Sequence, residues 1–314
     1  MGSPATQPSL SARPYSLSGC DPVPMSDDEI GCYEGRYEYW DADSELAWMV
    51  HDVSARHEEP SSRLVALVND IAMIRGTPIA MYGNADLQER DAGGRRLRAV
   101  QADQLVYLAR PEDPPPVIVV GSFPLPNVVF EVDLTTDVRE RKLGLYESWG
   151  VPELWVEVPD ADMPSKRQRP GLAIYVLVDG RYRTSAESVA FPTWSAPEIH
   201  RALNEPWMST MTVATVQRVG EAMGRAVGTG PEDDPFLGAE RLAARRKGLE
   251  AGRRAGLLEE RLSTLEGLLA ARNITVGGRL DGESERIAAM PRDAVLKAAL
   301  ESTDVDDFLR RVRS

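Results

Sequence analysis

The stretch from Asn127 to Val158 restricts the fold of this chain more than any other. Two apolar runs rich in β-branched and aromatic residues, NVVFEVDL at 127–134 and VPELWVEV at 151–158, flank the segment DVRERKLGLYESWG. Runs of this length and composition favour β-strands. The segment between them is typical of a helix with Asp137 as N-cap and Gly150 as C-cap. The sequence therefore predicts a strand, a helix and a second strand in succession, as in a mixed α/β domain.

Neighbouring segments predict more elements of the same domain. Aromatic alternation around a DADS turn at 33–50, and an Asp179-Gly180 pair inside 171–185, each indicate a β-hairpin. Apolar residues three and four apart predict an amphipathic helix at 61–75 that starts just after Pro60. Short β-rich runs predict further strands at 78–83, 95–109 and 115–121.

Composition divides the chain into three parts. Residues 1–29 are rich in Ser and Pro and carry little apolar periodicity, which is typical of a flexible leader. Residues 30–197 contain the strand and helix patterns described above. Residues 198–314 are helical in pattern, with a Gly, Pro and acid-rich linker at 228–235, and predict a helical C-terminal extension.

Charge and missing motifs exclude several classes of protein. The 314 residues contain 36 Lys and Arg against 49 Asp and Glu, a net charge of −13, whereas proteins that coat nucleic acid are usually basic. The chain has no GxxxxGK[ST], GxGxxG, HExxH or GxSxG motif. Two cysteines, Cys20 and Cys32, and three histidines disfavour a zinc site. The few cysteines and the lack of a signal-peptide core indicate the cytoplasm, and no apolar run is long enough for a membrane span.

Acidic residues inside apolar strands are the main indication of chemistry. Asp103 lies in QADQLVYL and Glu131 in NVVFEVDL, and Asp133 shares a strand face with Glu131 because residues two apart point the same way. A carboxylate among valines is costly to bury unless it is paired or binds a cation. Lys142 and Tyr146, four residues apart, lie on one face of the following helix.

Two or three carboxylates near a lysine form a site for a hard cation such as Mg²⁺. Such an ion lowers the pKa of bound water and stabilises negative charge on a phosphate. The lysine would orient or deprotonate the attacking water, or neutralise the developing charge. The alternative is an ordinary ion-pair network of strand-end acids, with Lys142 on a solvated helix face.

The region 131–155 resembles the Uma-two-type restriction endonuclease family of the PD-(D/E)XK nuclease-like superfamily. The resemblance is carried by Glu131-Val132, Thr135-Thr136-Asp137, Lys142, Tyr146, Gly150-Val151-Pro152-Glu153 and Trp155. Upstream, RYEYW with Glu38, SARHEEP with His57 and QADQLVYL with Asp103 are similar to earlier parts of the family pattern. The similarity covers roughly residues 33–190.

This resemblance implies a restriction-endonuclease-like α/β fold, with a mixed central sheet flanked by helices, and metal-dependent cleavage of DNA. It implies catalytic roles for Asp103, Glu131 and Lys142, and a Mg²⁺ or Mn²⁺ ion on Asp103, Glu131 and Asp133. Glu38, Asp133 and Tyr146 are the expected assisting residues.

Two positions depart from the superfamily pattern. Ala102 stands where the superfamily has Pro, and Asp133 stands where a (D/E)XK motif has Lys, so we expect Lys142 to supply the lysine. One alternative function is a nuclease fold without catalytic activity that binds a partner through its C-terminal helices. A third is a metal-dependent hydrolase of a small phosphorylated molecule.

The C-terminal helical region carries two further patterns. Leu258, Leu262, Leu265 and Leu269 recur four, three and four residues apart, as in a short coiled coil, and residues 237–272 could pair two copies. Seven basic residues against four acidic ones make 240–261 the most basic stretch of the chain. That stretch is either a phosphate-contacting helix or a solvated face beside the leucine seam.

Overall fold

A computed structural model describes residues 17–50, 55–160 and 169–313 of the chain. The strands in these residues are β1 (Cys20–Pro24), β2 (Tyr39–Asp41), β3 (Leu46–Val50), β4 (Ala80–Arg90), β5 (Arg96–Tyr107), β6 (Val117–Val119), β7 (Val128–Val132), β8 (Glu153–Val158), β9 (Gly171–Val178) and β10 (Arg181–Ser185). The α-helices are α1 (Asp27–Gly31), α2 (Ala55–Arg75), α3 (Lys142–Trp149), α4 (Ala196–Asn204), α5 (Thr210–Val227), α6 (Gly238–Ala271), α7 (Ser284–Ala289), α8 (Arg292–Glu301) and α9 (Val305–Arg313).

These strands belong to one mixed sheet, in the order β1-β3-β2-β5-β7-β8-β9-β10. The long strand β5 pairs with β4 along one edge, and β4 also pairs with β6. The pairs β7–β8 and β4–β6 are parallel, and the other pairs are antiparallel. The prediction of a mixed sheet in an α/β domain is confirmed.

Helices cover both faces of this sheet, and β7 shows why. All five β7 residues are buried, which is typical of a strand with an apolar layer on each side. Val128, Phe130 and Val132 face the core that contains α2, α4 and α5. Val129 faces the opposite core, which contains α3. Glu131 alternates with the first group, so it points toward the α3 side.

The hairpin predictions for 33–50 and 171–185 are confirmed. β2 pairs antiparallel with β3, and β9 with β10. Asp179 and Gly180 both have positive φ, at 53° and 73°, which is the backbone that a two-residue hairpin turn requires. Gly150 likewise ends α3 in the left-handed conformation, with φ 84°.

Two element boundaries differ from the predictions. The segment expected to be a flexible leader is structured from Leu17 onward, because β1 pairs with β3 and Ser26 caps α1 in a capping box with Glu29; residues 1–16 lie outside the described residues. Helix α2 begins at Ala55 and contains Pro60, so the predicted start after Pro60 is wrong.

The chain forms two compact units, one ending at Gly238 and the other beginning at Ala239. The sequence places the boundary at 197, but α4 and α5 share the core of the first unit through Ile199, Leu203 and Val219. The apolar faces of both helices are therefore buried in the first unit.

The second unit contains α6 to α9. Leu265 and Leu269 of the leucine seam are buried against residues of the same unit, which include Ile287, Val295 and Phe308. Leu262 is partly buried against the same residues, so three of the four seam leucines pack within this unit. No helix in the described part of the chain is long and apolar enough to cross a membrane.

Candidate functional site

Glu131 lies at the middle of the sheet and is 4% exposed. Its neighbours on β7 are apolar, and the strand is covered on both sides, so its side chain depends on polar partners from other elements. Burial raises the pKa of Glu131 to about 8, against the opposing effect of Lys142. The partners come from β5, from α3 and from the segment before β2.

Asp103 lies directly beside Glu131 on the neighbouring strand. β5 and β7 pair antiparallel with Gln104 opposite Phe130, so the next pair in this register is Asp103 and Glu131. Residues opposite each other in an antiparallel pair point to the same face of the sheet. The Oδ2 atom of Asp103 accepts the backbone N–H of Val132 at 2.7 Å, which fixes the carboxylate at this position.

Arg36 and His57 are further partners of the Asp103 carboxylate. Arg36 donates one hydrogen bond to the Oδ1 atom of Asp103 and another to Glu58 Oε1 at 2.5 Å. His57 Nε2 lies 3.8 Å from Asp103 Oδ2. Burial raises the pKa of Asp103, while His57 and Arg36 favour its charged form. The first turn of α2 therefore belongs to this cluster, since it carries His57 and Glu58.

The start of α3 places Lys142 over the two strands. Asp137 caps a short 3₁₀ turn at Val138–Glu140, and α3 then begins at Lys142. The ammonium of Lys142 lies 3.0 Å from Glu131 Oε2 and 3.2 Å from Oε1, donates to the backbone oxygen of Gln101 at 2.9 Å, and pairs with Glu38 Oε2. The prediction that a helical lysine reaches the Glu131 carboxylate agrees with this geometry.

Lys142 keeps its proton in this environment. Burial acts to lower the pKa of Lys142, but the carboxylates of Glu131 and Glu38 outweigh it and raise that pKa above its ordinary value. A lysine with a raised pKa carries positive charge at neutral pH and is a poor base. Among the roles that the sequence suggests, the geometry favours charge stabilisation and orientation over deprotonation.

Tyr146 completes the shell around Glu131. It lies one turn after Lys142 on α3, is fully buried, and donates its hydroxyl to Glu131 Oε1 at 2.5 Å. Burial, with Glu131 close by, raises the pKa of Tyr146 well above its ordinary value, so the hydroxyl remains a donor.

Asp133 has different partners from the other carboxylates. Its Oδ1 and Oδ2 atoms accept the backbone N–H of Val138 at 3.0 and 3.2 Å. This contact ties the end of β7 to the 3₁₀ turn that leads into α3. The structure thus groups Asp103, Glu131, Lys142, Glu38 and Tyr146, and gives Asp133 a backbone partner beside them.

The donor set can be tested against the cation that the resemblance implies. Glu38, Glu131, Asp133 and Lys142 line a cavity of about 20 Å³, which has room for one water-sized particle. Carboxylate oxygens are the ligands that Mg²⁺ and Mn²⁺ prefer, so Glu38, Glu131 and Asp133 fit such an ion in kind, while Asp103 does not line this cavity. The described residues contain no group of three or more His, Cys, Asp or Glu side chains already arranged to hold a metal.

Three members of the cluster were missed in the sequence: Arg36, Glu58 and the backbone oxygen of Gln101. Arg36 lies two residues before Glu38 in RYEYW, and strand alternation would have placed the two on one face. The backbone oxygen of Gln101 leaves no signal in the sequence, because any residue supplies the same atom.

Comparisons with known proteins give few similarities. No protein-family model matches the chain, and no curated protein matches it in sequence. Among solved structures it is similar to a candidate nuclease belonging to DUF820, from Anabaena variabilis, with a TM-score of 0.37 and 10% identity. That similarity covers 63% of this chain and 99% of the other. A similarity at this TM-score carries no argument, so the function of the chain has to follow from its own residues.

Proposed function

We propose that this chain is a metal-dependent endonuclease that hydrolyses phosphodiester bonds of DNA. One observation carries the proposal: Asp103, Glu131 and Lys142, predicted from the sequence as one catalytic set, come from two strands and a helix and converge in one buried cluster. Buried acids with raised pKa values beside a cationic side chain are typical of catalytic sites. The resemblance to the Uma-two-type family supports the same assignment.

Asp103 and Glu131 would hold a Mg²⁺ or Mn²⁺ ion, with Glu38 and Asp133 lining the same small cavity as Glu131. When bound, such an ion activates water and stabilises negative charge on the phosphate. Lys142 would supply a positive charge for the phosphate oxygens, and Tyr146 holds Glu131 in place through its hydrogen bond. As in the superfamily that it resembles, the products would be a 5′-phosphate and a 3′-hydroxyl.

The test is cleavage of supercoiled and linear DNA with Mg²⁺ or Mn²⁺, and with EDTA as a control. We expect the parent to cut and Glu131→Gln to lose at least about a hundredfold in rate, because mutation of an electrostatic catalytic group typically has this effect. Glu187→Gln is the matched control, since Glu187 is an exposed residue outside the cluster. Equal rates for Glu131→Gln and the parent would show that the site is assigned wrongly.

A second candidate function is binding of a nucleic acid through α6 without catalysis. Residues 242–257 are all exposed and carry five basic side chains against the single acid Glu250. Leu242, Arg246, Leu249 and Arg253 alternate along one stripe of the helix, so there is no separate apolar face for a membrane surface. The basic residues are Arg245, Arg246, Lys247, Arg253 and Arg254.

This candidate predicts salt-dependent DNA binding that survives loss of the catalytic set. Changing the five basic residues to Gln should weaken binding and flatten the dependence of log K on log salt, because each phosphate contact adds about −0.9 to the slope. Glu131→Gln should leave that binding unchanged. Pairing of two copies through 237–272 is a further proposal, and sedimentation of the full chain would detect it.

A further inference from the structure

The ammonium of Lys142 is surrounded by oxygen atoms. Both carboxylate oxygens of Glu131 lie within 3.2 Å, the backbone oxygen of Gln101 lies at 2.9 Å, and Glu38 Oε2 is a fourth contact. Lys142 itself is 4% exposed, so water does not share in this coordination to a large extent. An ammonium has three N–H donors, and four close oxygens satisfy all of them.

Asp103, the third carboxylate of the cluster, is paired with the guanidinium of Arg36. Asp103 receives Arg36 on one oxygen and the Val132 N–H on the other. Lys142 is the contact that Glu38 and Glu131 share, whereas Arg36 is divided between Asp103 and Glu58. Loss of Lys142 would therefore increase the negative charge that Glu38 and Glu131 present to an entering cation.

We infer that Lys142 competes with the divalent ion for the oxygens of Glu131 and Glu38, and so weakens binding of that ion to this site. The inference rests on the proposed function, and adds to it how the site is regulated. The two oxygens of Glu131 already receive two contacts from Lys142 and one from Tyr146. A Mg²⁺ ion takes carboxylate oxygens at about 2.0–2.1 Å, so on Glu131 it would lie close to the ammonium, and the two cations would repel each other.

If Lys142 competes in this way, the apparent affinity of the site for the divalent ion is its intrinsic affinity multiplied by the fraction of molecules in which the oxygens of Glu131 and Glu38 are free of Lys142. The cavity of about 20 Å³ beside Glu131 and Glu38 gives the ion a place to approach these oxygens while Lys142 is still bound. The site would then fill only at high divalent concentration, and Lys142 would be released toward the phosphate when it does.

The experiment measures Mn²⁺ binding directly, from the electron paramagnetic resonance signal of free Mn²⁺, on the full chain. Lys142→Met removes the ammonium and keeps much of the side-chain volume, whereas Lys142→Arg keeps a positive charge. We expect Lys142→Met to bind Mn²⁺ at least tenfold more tightly than the parent, and Lys142→Arg to bind it as weakly as the parent. The matched control is Lys297→Met, which removes a lysine paired with Glu301 at the surface and should leave Mn²⁺ binding unchanged.

Equal or weaker Mn²⁺ binding by Lys142→Met would overturn the inference. If Lys142→Met is unfolded in EDTA, Mn²⁺ should restore its circular dichroism and raise its melting temperature by more than it does for the parent. Failure to fold at any Mn²⁺ concentration would count against the inference. Because the experiment measures Mn²⁺ binding, its result is separate from the cleavage assay. If the parent cuts DNA but Lys142→Met does not bind Mn²⁺ more tightly, only this inference is refuted. Tighter binding by Lys142→Met, together with a parent that does not cut DNA, refutes only the nuclease.

Discussion

Glu153, the last residue of the Gly-Val-Pro-Glu motif, accepts three hydrogen bonds from other parts of the first unit. It begins β8, is 2% exposed, and accepts the indole N–H of Trp155 at 2.6 Å through Oε1. Its Oε2 accepts the backbone N–H groups of Val189 and Ala190 at 3.1 and 2.9 Å. One carboxylate thus joins the start of β8 to the segment that follows β10. We predict that Glu153→Ala strongly destabilises the first unit.

The size of the effect follows from these three bonds. A hydrogen bond to a charged group contributes about 1.5–3 kcal/mol, and a buried donor left without a partner costs about 1–3 kcal/mol. The three bonds share one acceptor group and are not additive, and the exposed side of Val189 gives water some access to the loop. We therefore expect Glu153→Ala to lower the free energy of unfolding by about 3–5 kcal/mol. Glu153→Gln keeps one oxygen acceptor and should cost about 1–2 kcal/mol.

Denaturant unfolding followed by tryptophan fluorescence measures this change. All six tryptophans precede Gly238, so the signal reports on the first unit. Glu187→Ala is the control, because Glu187 is an exposed residue close by and its loss should change stability by less than about 0.5 kcal/mol. A loss below about 1 kcal/mol for Glu153→Ala would show that its three hydrogen bonds are not the main constraint on this loop.

Two further predictions concern stability. Gly220→Ala should lower the free energy of unfolding by about 1–3 kcal/mol, since a Cβ there would lie 2.7 Å from the Cβ of Ile74. A Cβ at Gly248 on α6 meets nothing within 4 Å, so Gly248→Ala should raise helix stability by about 1 kcal/mol. Thermal melts by circular dichroism compare the two variants, and an equal effect would refute the close contact at Gly220. The pKa of Glu198 is lowered to about 2, because its hydrogen bond with Arg218 and its bonds with Ser195 outweigh partial burial. The stability that Glu198 contributes is present above its ordinary pKa of 4.5 and is lost as pH falls toward 2. Glu198→Gln should therefore reduce the loss of folding stability between pH 4.5 and 2 by up to about 1 kcal/mol. An unchanged acid unfolding curve would show that Glu198 does not contribute this stability.

The predictions that depended on local sequence agree best with the structure. Strands β7 and β8 follow from dense β-branched and aromatic runs, and the hairpin at Asp179 follows from a pair that tolerates positive φ. Gly150 ends α3 because glycine also adopts positive φ readily. The start of α2 was missed because Pro60 normally begins a helix, whereas His57 and Glu58 before it have long-range partners, Asp103 and Arg36.

The sequence by itself determined the chemical character of the candidate site. Acids in apolar strands require partners when buried, and that requirement identifies Asp103 and Glu131 from the strand pattern alone. Only the tertiary structure decided which partners they have. The β5–β7 register set Asp103 beside Glu131, and the position of α3 brought Lys142 against Glu131. The Gln101 carbonyl joined the cluster through the pairing of β5, and Arg36 through the segment before β2, far from Asp103 in sequence. Such long-range contacts depend on global packing rather than on local propensity.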